Sequence, residues 1–283
     1  MDADTLRTRV AALDWYHSID LGRGIVTPGM SKNVVLSGSE FPDVAGKSVL
    51  DVGAWDGFYS FLAEQRGAAR VVAFDEYAWC LDFHARQRYW DESDRAGLIP
   101  DYRKDEDFYD RDQLPGRRPF ELAKEALDSK VEPLVGDLLR VDPGELGVFD
   151  VVLYLGVLYH MPEPLTALQR LRAVTADGGT AVIETEAVAI PDHEDEALGM
   201  FWAGKELNED FGNWWALSEP ALHGLCRAAG FRTVETRRAP EPTIPMPELP
   251  RPWARPQDRR NYTDVVEARR EIHRYRIVVH AHA

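Results

Sequence analysis

Long apolar runs and cysteines are both scarce in this 283-residue chain. No run reaches about 18 apolar residues, the length of a membrane-spanning helix, and residues 1–10 hold no apolar signal core. The two cysteines, Cys80 and Cys226, lie far apart without CxxC or Cys/His spacing, which excludes a disulfide framework and indicates reduced thiols. We therefore expect a cytoplasmic protein without a membrane partner.

Positive charge is also in deficit, since 33 lysines and arginines face 48 aspartates and glutamates, for a formal net charge of -15. A protein that binds nucleic acid usually needs a basic surface that displaces counterions from the phosphates, so the charge argues against such a partner. The 45% hydrophobic content is enough for one large α/β domain with additions, or for two small domains. The sequence does not indicate an oligomeric state.

What is present is a strand–turn–helix–strand unit over residues 48–76. Its parts follow in the order Val49–Val52, Gly53, Gly57, Phe58–Gln65, Gly67, Val71–Phe74, Asp75 and Glu76. The two short apolar runs predict buried strands, and the pattern between them predicts a helix. Such βαβ units hold nucleotide-like ligands beyond the carboxyl ends of their strands.

The residue types in this unit suit a ligand that contains a ribose. Gly53 lets the backbone approach a ligand closely because it has no Cβ, and Gly57 opens a helix whose first N–H groups are free. The carboxylate of Asp75 can accept both hydroxyls of a ribose. The turn lacks the middle glycine of G-x-G-x-x-G, and its D-x-G-x-x-x-G pattern instead resembles the first motif of class I S-adenosylmethionine (SAM) methyltransferases. A βαβ unit without a ligand is the alternative.

Strands continue to alternate with helices outside this unit. The predicted strands are Val131–Val135, Phe149–Leu155, Thr180–Thr185, Phe231–Thr236 and Tyr275–His280, and the predicted helices are Asp2–Leu13, Trp79–Trp90, Phe120–Leu127, Pro164–Val174 and Glu219–Ala229. The alternation predicts an α/β, doubly wound and mainly parallel sheet. We expect an N-terminal helix and flap over residues 1–47, a SAM-binding core over 48–238 with an insertion at about 91–118, and a proline-rich strap and last strand over 239–283.

The resemblance extends beyond the first motif. Four segments resemble, in their order, the class I methyltransferase family that includes the bacterial tRNA wobble-uridine carboxymethyltransferase: W-Y-H-S-I-D-L-G at 15–22, D-V-G-A-W-D-G-F-Y-S at 51–60, G-V-L-Y-H at 156–160, and N-W-W with an A-G-F helix end within 213–231. The family implies a Rossmann-like seven-stranded mixed sheet whose last strand is antiparallel. It also implies SAM as the cofactor, with S-adenosylhomocysteine (SAH) as its product.

The resemblance also assigns residues to the cofactor. It places Asp75 at the ribose and Asp137, the acid after the third strand, near the adenine amino group. The predicted cofactor-binding residues are Tyr16, Asp51, Gly53, Ala54, Gly57, Asp75, Glu76, Asp137, Leu138, Leu155, Gly156 and Tyr159. Several of these residues follow predicted parallel strands, so we expect them to converge at one edge of the sheet.

The chain departs from the tRNA enzyme in three respects. Its charge is acidic, and its segment 79–130 looks different. The tRNA enzyme uses a carboxylated SAM, whose extra carboxylate is held by a tryptophan and lysines. Residues 27–47 contain no secure counterpart of these residues, and Lys32 is the nearby candidate. Many relatives of this shape resemble small-molecule or sugar O-methyltransferases, so the resemblance implies methyl transfer to a hydroxyl of a small molecule or sugar-containing metabolite. A tRNA wobble-uridine (carboxy)methyltransferase and a non-catalytic SAM-binding protein stay open as alternatives.

Methyl transfer from a sulfonium is an in-line displacement, so the positioning of the reactants supplies much of the rate. A hydroxyl acceptor also benefits from a base near its proton, and His160 is the best-placed candidate, just past a buried strand. His17 is a second candidate, and either histidine can instead serve only the fold. The acceptor is predicted to be walled by Asn213, Trp214 and Trp215, which can alternatively form a structural aromatic cluster.

Three other segments keep two interpretations each. Residues 15–17 form a flap over the site or anchor the N-terminal arm on the core. The insertion at 91–118 forms a lid or acceptor pocket, or a solvated excursion. Glu184 and Glu186 are candidate ligands for a divalent metal, but no complete ligand set is visible and we predict no metal site.

Overall fold

The computed structural model describes residues 1–29, 36, 40–237, 244–245 and 272–283. Within these ranges the strands are β1 (Ser48–Val52), β2 (Arg70–Phe74), β3 (Glu132–Leu134), β4 (Phe149–Leu155), β5 (Thr175–Ala189), β6 (Gly199–Phe201), β7 (Trp215–Leu217), β8 (Thr233–Thr236), β9 (Ile244–Pro245) and β10 (His273–His282). The α-helices are α1 (Ala3–Ala11), α2 (Phe58–Gln65), α3 (Tyr77–Cys80), α4 (Phe83–Arg95), α5 (Arg118–Leu127), α6 (Pro143–Leu146), α7 (Pro164–Ala173) and α8 (Glu219–Ala228). Short 3₁₀ turns occupy Tyr102–Phe108, Pro115–Arg117 and Leu158–His160.

All of these strands belong to one sheet, whose main path runs in the order β3-β2-β1-β4-β5-β10-β8. β1 pairs in parallel with β2 and β4, and β4 pairs in parallel with β5. β10 is antiparallel to both β5 and β8. The predicted seven-stranded mixed sheet with an antiparallel last strand is therefore confirmed, and β6, β7 and β9 are additions to it.

The sheet is covered by helices on both faces, because successive side chains of a strand point in opposite directions. Val49 of β1 packs with Phe61 of α2 and Phe120 of α5. Leu50, the next residue, belongs to the other layer, with Leu168 of α7. Both β1 residues are fully buried, which explains why the central strands read as continuous apolar runs.

The predicted helix Trp79–Trp90 is wrong in its extent, because the structure has two helices there. Leu81 adopts an extended conformation between α3 and α4 and forms an isolated bridge with Tyr109. Asp82 then caps α4 by accepting a hydrogen bond from the N–H of Ala85 at 2.9 Å. An aspartate is a preferred N-cap, and this one restarts the helix in a new direction.

The predicted strand Thr180–Thr185 is the middle of the longer β5. Gly178, at φ 79°, lies inside the strand, where the pairing register with β4 shifts between Phe149 and Val151. A Cβ on Gly179 would lie 2.8 Å from the carbonyl oxygen of Asp150. The two glycines therefore form a β-bulge, which a sequence pattern alone does not distinguish from a turn.

Two further segments can be compared with their predictions. The region Phe201–Trp215, expected to be a loop, connects β6 and β7, which pair antiparallel. The proline-rich strap lies outside the described residues except for β9, which pairs with β10.

No helix in the described part of the chain is long and apolar enough to cross a membrane. Both cysteines are free and buried. The domain boundaries stay predictions.

Candidate active site

The loops that follow neighbouring strands are held side by side at one edge of the sheet. The N–H of Gly53, after β1, donates to the carbonyl of Phe74 at 2.8 Å. The N–H of Gly136, after β3, donates to the carbonyl of Asp75 at 3.3 Å. The N–H of Gly156, after β4, donates to the carbonyl of Glu184 at 2.9 Å. The predicted convergence of strand-end residues is therefore present in the structure.

Glycine is required at the first turn by both conformation and space. Gly53 has φ 78°, and a Cβ there would lie 2.7 Å from Cγ2 of Val157, in the loop after β4. Gly57 has φ 85°, and a Cβ there would lie 2.6 Å from Cδ2 of Phe120. L-residues rarely adopt such angles, so these glycines let the turn lie directly against its neighbours.

Two buried acids flank the turn. Asp75 accepts hydrogen bonds from the N–H of Trp55 at 3.0 Å and of Ala78 at 2.8 Å, one on each oxygen. Asp51 accepts one from the hydroxyl of Ser60 at 2.6 Å. Burial raises the pKa of both carboxyls to about 6. A carboxylate oxygen has two lone pairs, so Asp75 keeps acceptor capacity for ligand hydroxyls.

An aromatic stack covers the turn. The ring of Trp55, a residue with φ 48°, lies between Tyr16 at 4.2 Å and Phe83 at 5.5 Å between centroids. Trp15 instead is buried in the core and donates to the carbonyl of Val10 at 3.0 Å. Trp15 therefore anchors the arm on the core, whereas Tyr16 lies over the glycine turn, and the role of the segment as a flap over the site stays a prediction.

Asp56, which sequence reasoning missed, joins the arm to the turn. Its Oδ2 accepts the N–H groups of Tyr16 at 3.1 Å and His17 at 2.7 Å, and its Oδ1 lies 2.7 Å from Nδ1 of His17. The carboxylate is fully buried. The sequence signal that could have identified Asp56 is a charged residue inside a turn between apolar elements, because a buried charge needs partners.

His160 lies past the end of β4, where the sequence predicts it. Its Nδ1 lies 2.7 Å from the carbonyl oxygen of Gly212, and because a carbonyl only accepts, Nδ1 carries the proton. Its Nε2 has no hydrogen bond to any described residue and is the basic nitrogen of the neutral ring. Burial lowers the pKa of His160, while the nearby charge of Asp210 opposes that shift.

Tyr159 and Arg276 lie together beside this histidine. The guanidinium of Arg276, from β10, is 4.7 Å from the ring centroid of Tyr159, and burial raises the pKa of that phenol to about 12. Arg276 also pairs with Glu184, and its Nη1 lies 3.2 Å from Oε1 of Glu186. Sequence reasoning missed Arg276, because the register of an antiparallel strand 90 residues later cannot be read from spacing.

This ion-pair network accounts for the two acids that the sequence offered as metal ligands. Both are committed to Arg276, and Glu186 also accepts a hydrogen bond from Asn208 at 3.0 Å. In the described part of the chain, no group of three or more His, Cys, Asp or Glu side chains is arranged to hold a metal ion.

The three residues predicted to wall the acceptor have different surroundings, and their role toward an acceptor stays a prediction. The backbone N–H of Trp214 donates to the carbonyl of Tyr159 at 3.0 Å, and the Trp214 ring contacts Tyr102 of the insertion at 4.9 Å between centroids. Asn213 is buried and donates to the carbonyl of Leu207 at 2.9 Å. Trp215 packs on Phe201 at 5.0 Å. The insertion thus reaches the site, and Trp214 is the predicted wall residue that meets it.

The remaining predicted cofactor residues lie at the same edge of the sheet. Glu76 lies 3.2 Å from Nε of Arg111, and Asp137 accepts the N–H of Leu139 at 2.8 Å. Ala54 and Leu138 are buried, whereas Leu155 is half-buried. These contacts place the side chains, and their roles toward a ligand stay predictions.

A shallow surface depression of about 640 Å³ lies elsewhere, between α1 and α5, and none of the predicted site residues lines it. Two of its arginines are already paired, Arg9 with Glu125 and Arg117 with Glu121. The strand-end loops therefore remain the candidate site.

This geometry agrees with comparisons to known proteins. A family model described as a methyltransferase domain matches residues 33–236, which include the glycine turn, the acids after β2 and β3, and the loop after β4. The chain belongs to this methyltransferase family. Its cofactor is SAM.

Relatives with curated names are tRNA U34 carboxymethyltransferases. That of Pseudomonas savastanoi pv. phaseolicola is 30% identical over 225 residues, covering 78% of this chain and 56% of the relative. That of Pseudomonas syringae pv. tomato is 31% identical over 195 residues, covering 68% of this chain and 47% of the relative. The chain thus spans about half the length of the curated relatives it matches.

Solved structures show the same fold. The N-terminal domain of EvdMO1 with SAH bound is 18% identical, has a TM-score of 0.58, and the match covers 100% of this chain and 98% of that one. The same domain in the presence of SAH and D-fucose gives a TM-score of 0.57, with 97% of that chain covered. At this identity the comparison concerns the fold alone.

The residues at the strand ends fit SAM. A Cβ on Gly156 would make only ordinary van der Waals contacts, the nearest with Nη2 of Arg276 at 3.7 Å, so no neighbouring atom crowds the backbone after β4. Asp75 offers acceptor capacity at the tip of β2, as a ribose requires. SAM supplies a methyl group on a sulfonium.

Proposed function

We propose that this chain transfers the methyl group of SAM to a hydroxyl of a small molecule or sugar-containing metabolite. The observation that supports this best is the hydrogen bond between Nδ1 of His160 and the carbonyl of Gly212. It leaves Nε2 as the basic nitrogen, at the edge of the sheet where the cofactor loops meet. A hydroxyl is a weak nucleophile until a base takes its proton, and this nitrogen is such a base.

The surroundings of His160 suit that role. Because burial lowers its pKa, the ring is neutral and able to accept a proton at physiological pH. When Nε2 takes the proton of the hydroxyl, the N–H of Nδ1 still donates to Gly212, and the charge of Asp210 favours the imidazolium that forms. The rest of the rate comes from the loops that align acceptor and methyl group.

Three observations favour a neutral small acceptor. The net charge of -15 opposes the counterion release on which nucleic-acid binding depends. The EvdMO1 domain with the same fold was crystallised in the presence of D-fucose, a neutral sugar. The cation near the site, Arg276, is paired with two carboxylates and so adds no net positive charge there.

The second candidate is tRNA wobble-uridine (carboxy)methylation, and the names of the relatives at about 30% identity favour it. Lys32, the sequence candidate for holding an extra carboxylate, lies outside the described residues. A third possibility is SAM binding without catalysis.

One transfer assay separates the three. The protein is incubated with methyl-labelled SAM, or with carboxylated SAM labelled at the carbon that is transferred, and in separate reactions with neutral monosaccharides and glycosides or with bulk tRNA. We expect SAH to form, and label to enter the product, only with the hydroxylated small molecules. Label that enters only the tRNA would establish the second candidate. SAM that binds but yields no SAH with either pool would favour the third.

A further inference from the structure

Trp55 lies in the glycine turn with a φ of 48°, in the left-handed region that bulky L-residues rarely adopt. It occupies the place of the middle glycine in the G-x-G-x-x-G pattern, which this turn lacks. A glycine would adopt the same angle without strain. The tryptophan in its place therefore indicates that the ring serves a function here.

The ring of Trp55 joins two segments that are remote in the sequence. It stacks on Tyr16 of the N-terminal arm, with 4.2 Å between centroids and 13° between planes. It also stacks on Phe83, the first residue of α4, with 5.5 Å between centroids and 4° between planes. In residues adjacent to these two, Oδ2 of Asp14 lies 3.5 Å from Nε2 of His84. The arm and α4 therefore meet at the ring of Trp55, where each stacked pair adds to the stability that burial provides.

The backbone of Trp55 is bonded to the residues that follow β2. Its N–H donates to Oδ2 of Asp75 at 3.0 Å, and its carbonyl accepts the Nε1–H of Trp79 at 2.6 Å. Asp75 is the acid that we expect to bind the ribose of SAM. A ligand on this carboxylate therefore acts on the same group that fixes the backbone of Trp55.

Tyr16 extends from the stack toward the loop after β4. Burial raises the pKa of Tyr159 in that loop to about 12, Arg276 opposes the shift, and the nearby phenol of Tyr16 adds to it. Tyr16 thus lies near both the glycine turn and the loop after β4, which are two of the segments predicted to hold the cofactor.

We propose that Trp55 is a positioning residue that couples the binding of SAM to the closing of the N-terminal arm over the cofactor. Its backbone is fixed by the carboxylate that meets the ribose, and its ring fixes Tyr16, so an occupied site and an ordered arm stabilise each other. Such coupling is reciprocal, because the factor by which the ordered arm strengthens cofactor binding equals the factor by which the cofactor stabilises the arm. The coupling goes beyond the proposed function, since it holds for any methyl acceptor.

The test uses the full chain and two measurements. Calorimetry gives the affinity for SAH, and amide hydrogen exchange of Tyr16 and His17 is followed with and without saturating SAH. The test variants are Trp55→Leu, Tyr16→Leu and the double variant. Trp55→Leu removes the stack and keeps an apolar side chain, and Leu114, with a φ of 45°, shows that this fold accommodates a leucine in the left-handed region.

Two further variants serve as comparisons. Trp55→Phe is the conservative variant, because it keeps an aromatic ring between Tyr16 and Phe83. Phe201→Leu is the matched control, because it also loses an aromatic pair, with Trp215 at 5.0 Å between centroids, but this pair joins β6 to β7.

We expect Trp55→Leu and Tyr16→Leu to bind SAH about tenfold more weakly than the wild type, as for the loss of stacked aromatic pairs. The double variant should bind SAH no more weakly than Tyr16→Leu alone, because both changes break the same link. Trp55→Phe and Phe201→Leu should keep the wild-type affinity. In the wild type SAH should slow the exchange of the Tyr16 and His17 amides about tenfold, and this slowing should be absent in Trp55→Leu.

Three results would overturn the proposal. These are wild-type SAH affinity in Trp55→Leu or in Tyr16→Leu, losses that multiply in the double variant, and amide exchange in the wild-type arm that SAH leaves unchanged. If Trp55→Leu does not fold, Tyr16→Leu and the exchange of the wild type decide the test, because both leave the turn intact. A failure to methylate sugars would count against the proposed function and would not alter these binding measurements.

Discussion

Nδ1 of His17 and Oδ1 of Asp56 lie 2.7 Å apart, and this contact fastens the N-terminal arm to the glycine turn. Asp56 also accepts the backbone N–H groups of Tyr16 and His17, so one buried carboxylate holds three donors. The Asp56 carboxylate thereby positions the part of the arm in which the Tyr16 ring stacks on the Trp55 ring. The order of Tyr16 and His17 therefore depends on this carboxylate, whereas Trp15 anchors the arm on the core.

The first prediction concerns that dependence. Asp56→Ala should raise hydrogen–deuterium exchange of the Tyr16 and His17 amides at least about tenfold, because both lose a charge-assisted acceptor. Asp20→Ala is the control in the same arm, since Asp20 only closes an exposed turn on Gly22. Unchanged protection in Asp56→Ala would show that the arm is held by its core contacts alone.

The second prediction concerns the base. His160→Asn should lower turnover about 10²–10⁴-fold with SAM affinity nearly intact, as for loss of a general base. Because burial lowers the pKa of His160, the wild-type rate should fall only below pH 6.5, where the ring becomes protonated, and this acidic limb should vanish in the variant. His17→Asn is the comparison. A larger loss there would transfer the role to His17, which Asp56 orients in a similar way.

The third prediction concerns the ribose. Asp75→Ala should weaken SAM binding by about 1–3 kcal/mol, because it removes an acceptor and leaves the N–H groups of Trp55 and Ala78 unmet. Asp150→Ala is the matched control, since Asp150 lies at the opposite end of the sheet and bonds to Ser48. Calorimetry that finds equal SAM affinity in Asp75→Ala and the wild type would remove Asp75 from the cofactor site.

The fourth prediction concerns pH and stability. Burial raises the pKa of Asp51 to about 6, against 3.8 for an ordinary aspartate, so the folded state binds the proton more tightly than the unfolded state. Stability from this group is present below pH 3.8 and is lost as pH rises toward 6, by about 3 kcal/mol at most. Asp51→Asn should therefore raise Tm at pH 8 by about twice as much as at pH 5, where about half of this loss has already occurred. Equal shifts at both values would contradict the raised pKa.

Much of the sheet could be predicted from local patterns. The run F-D-V-V-L-Y-L matches β4 over its full length, because a strand buried on both faces must be continuously apolar. The βαβ pattern of the sequence also predicts the glycine turn and Asp75, the acid that follows β2. The predicted limits of helices are less accurate where an N-cap such as Asp82 begins a new helix, because a single residue signals that boundary in the sequence.

The residues that were missed act over long sequence distances. Asp56 is bonded to an arm 39 residues earlier, and Arg276 pairs with Glu184 from 92 residues away. The ring contacts of Trp55 are set by tertiary packing, whereas the sequence predicts only that residues 15–17 form a flap or an anchor. Such contacts depend on register and loop path, which hydrophobic periodicity does not encode.

Competitive calorimetry of SAM against carboxylated SAM tests most directly whether the chain transfers a methyl or a carboxymethyl group. Arg276 already faces the carboxylates of Glu184 and Glu186, so an additional carboxylate beside it would gain no net attraction. We predict that SAM binds at least as tightly as carboxylated SAM. Carboxylated SAM that binds more than about tenfold tighter would contradict methyl transfer and make the chain a carboxymethyltransferase.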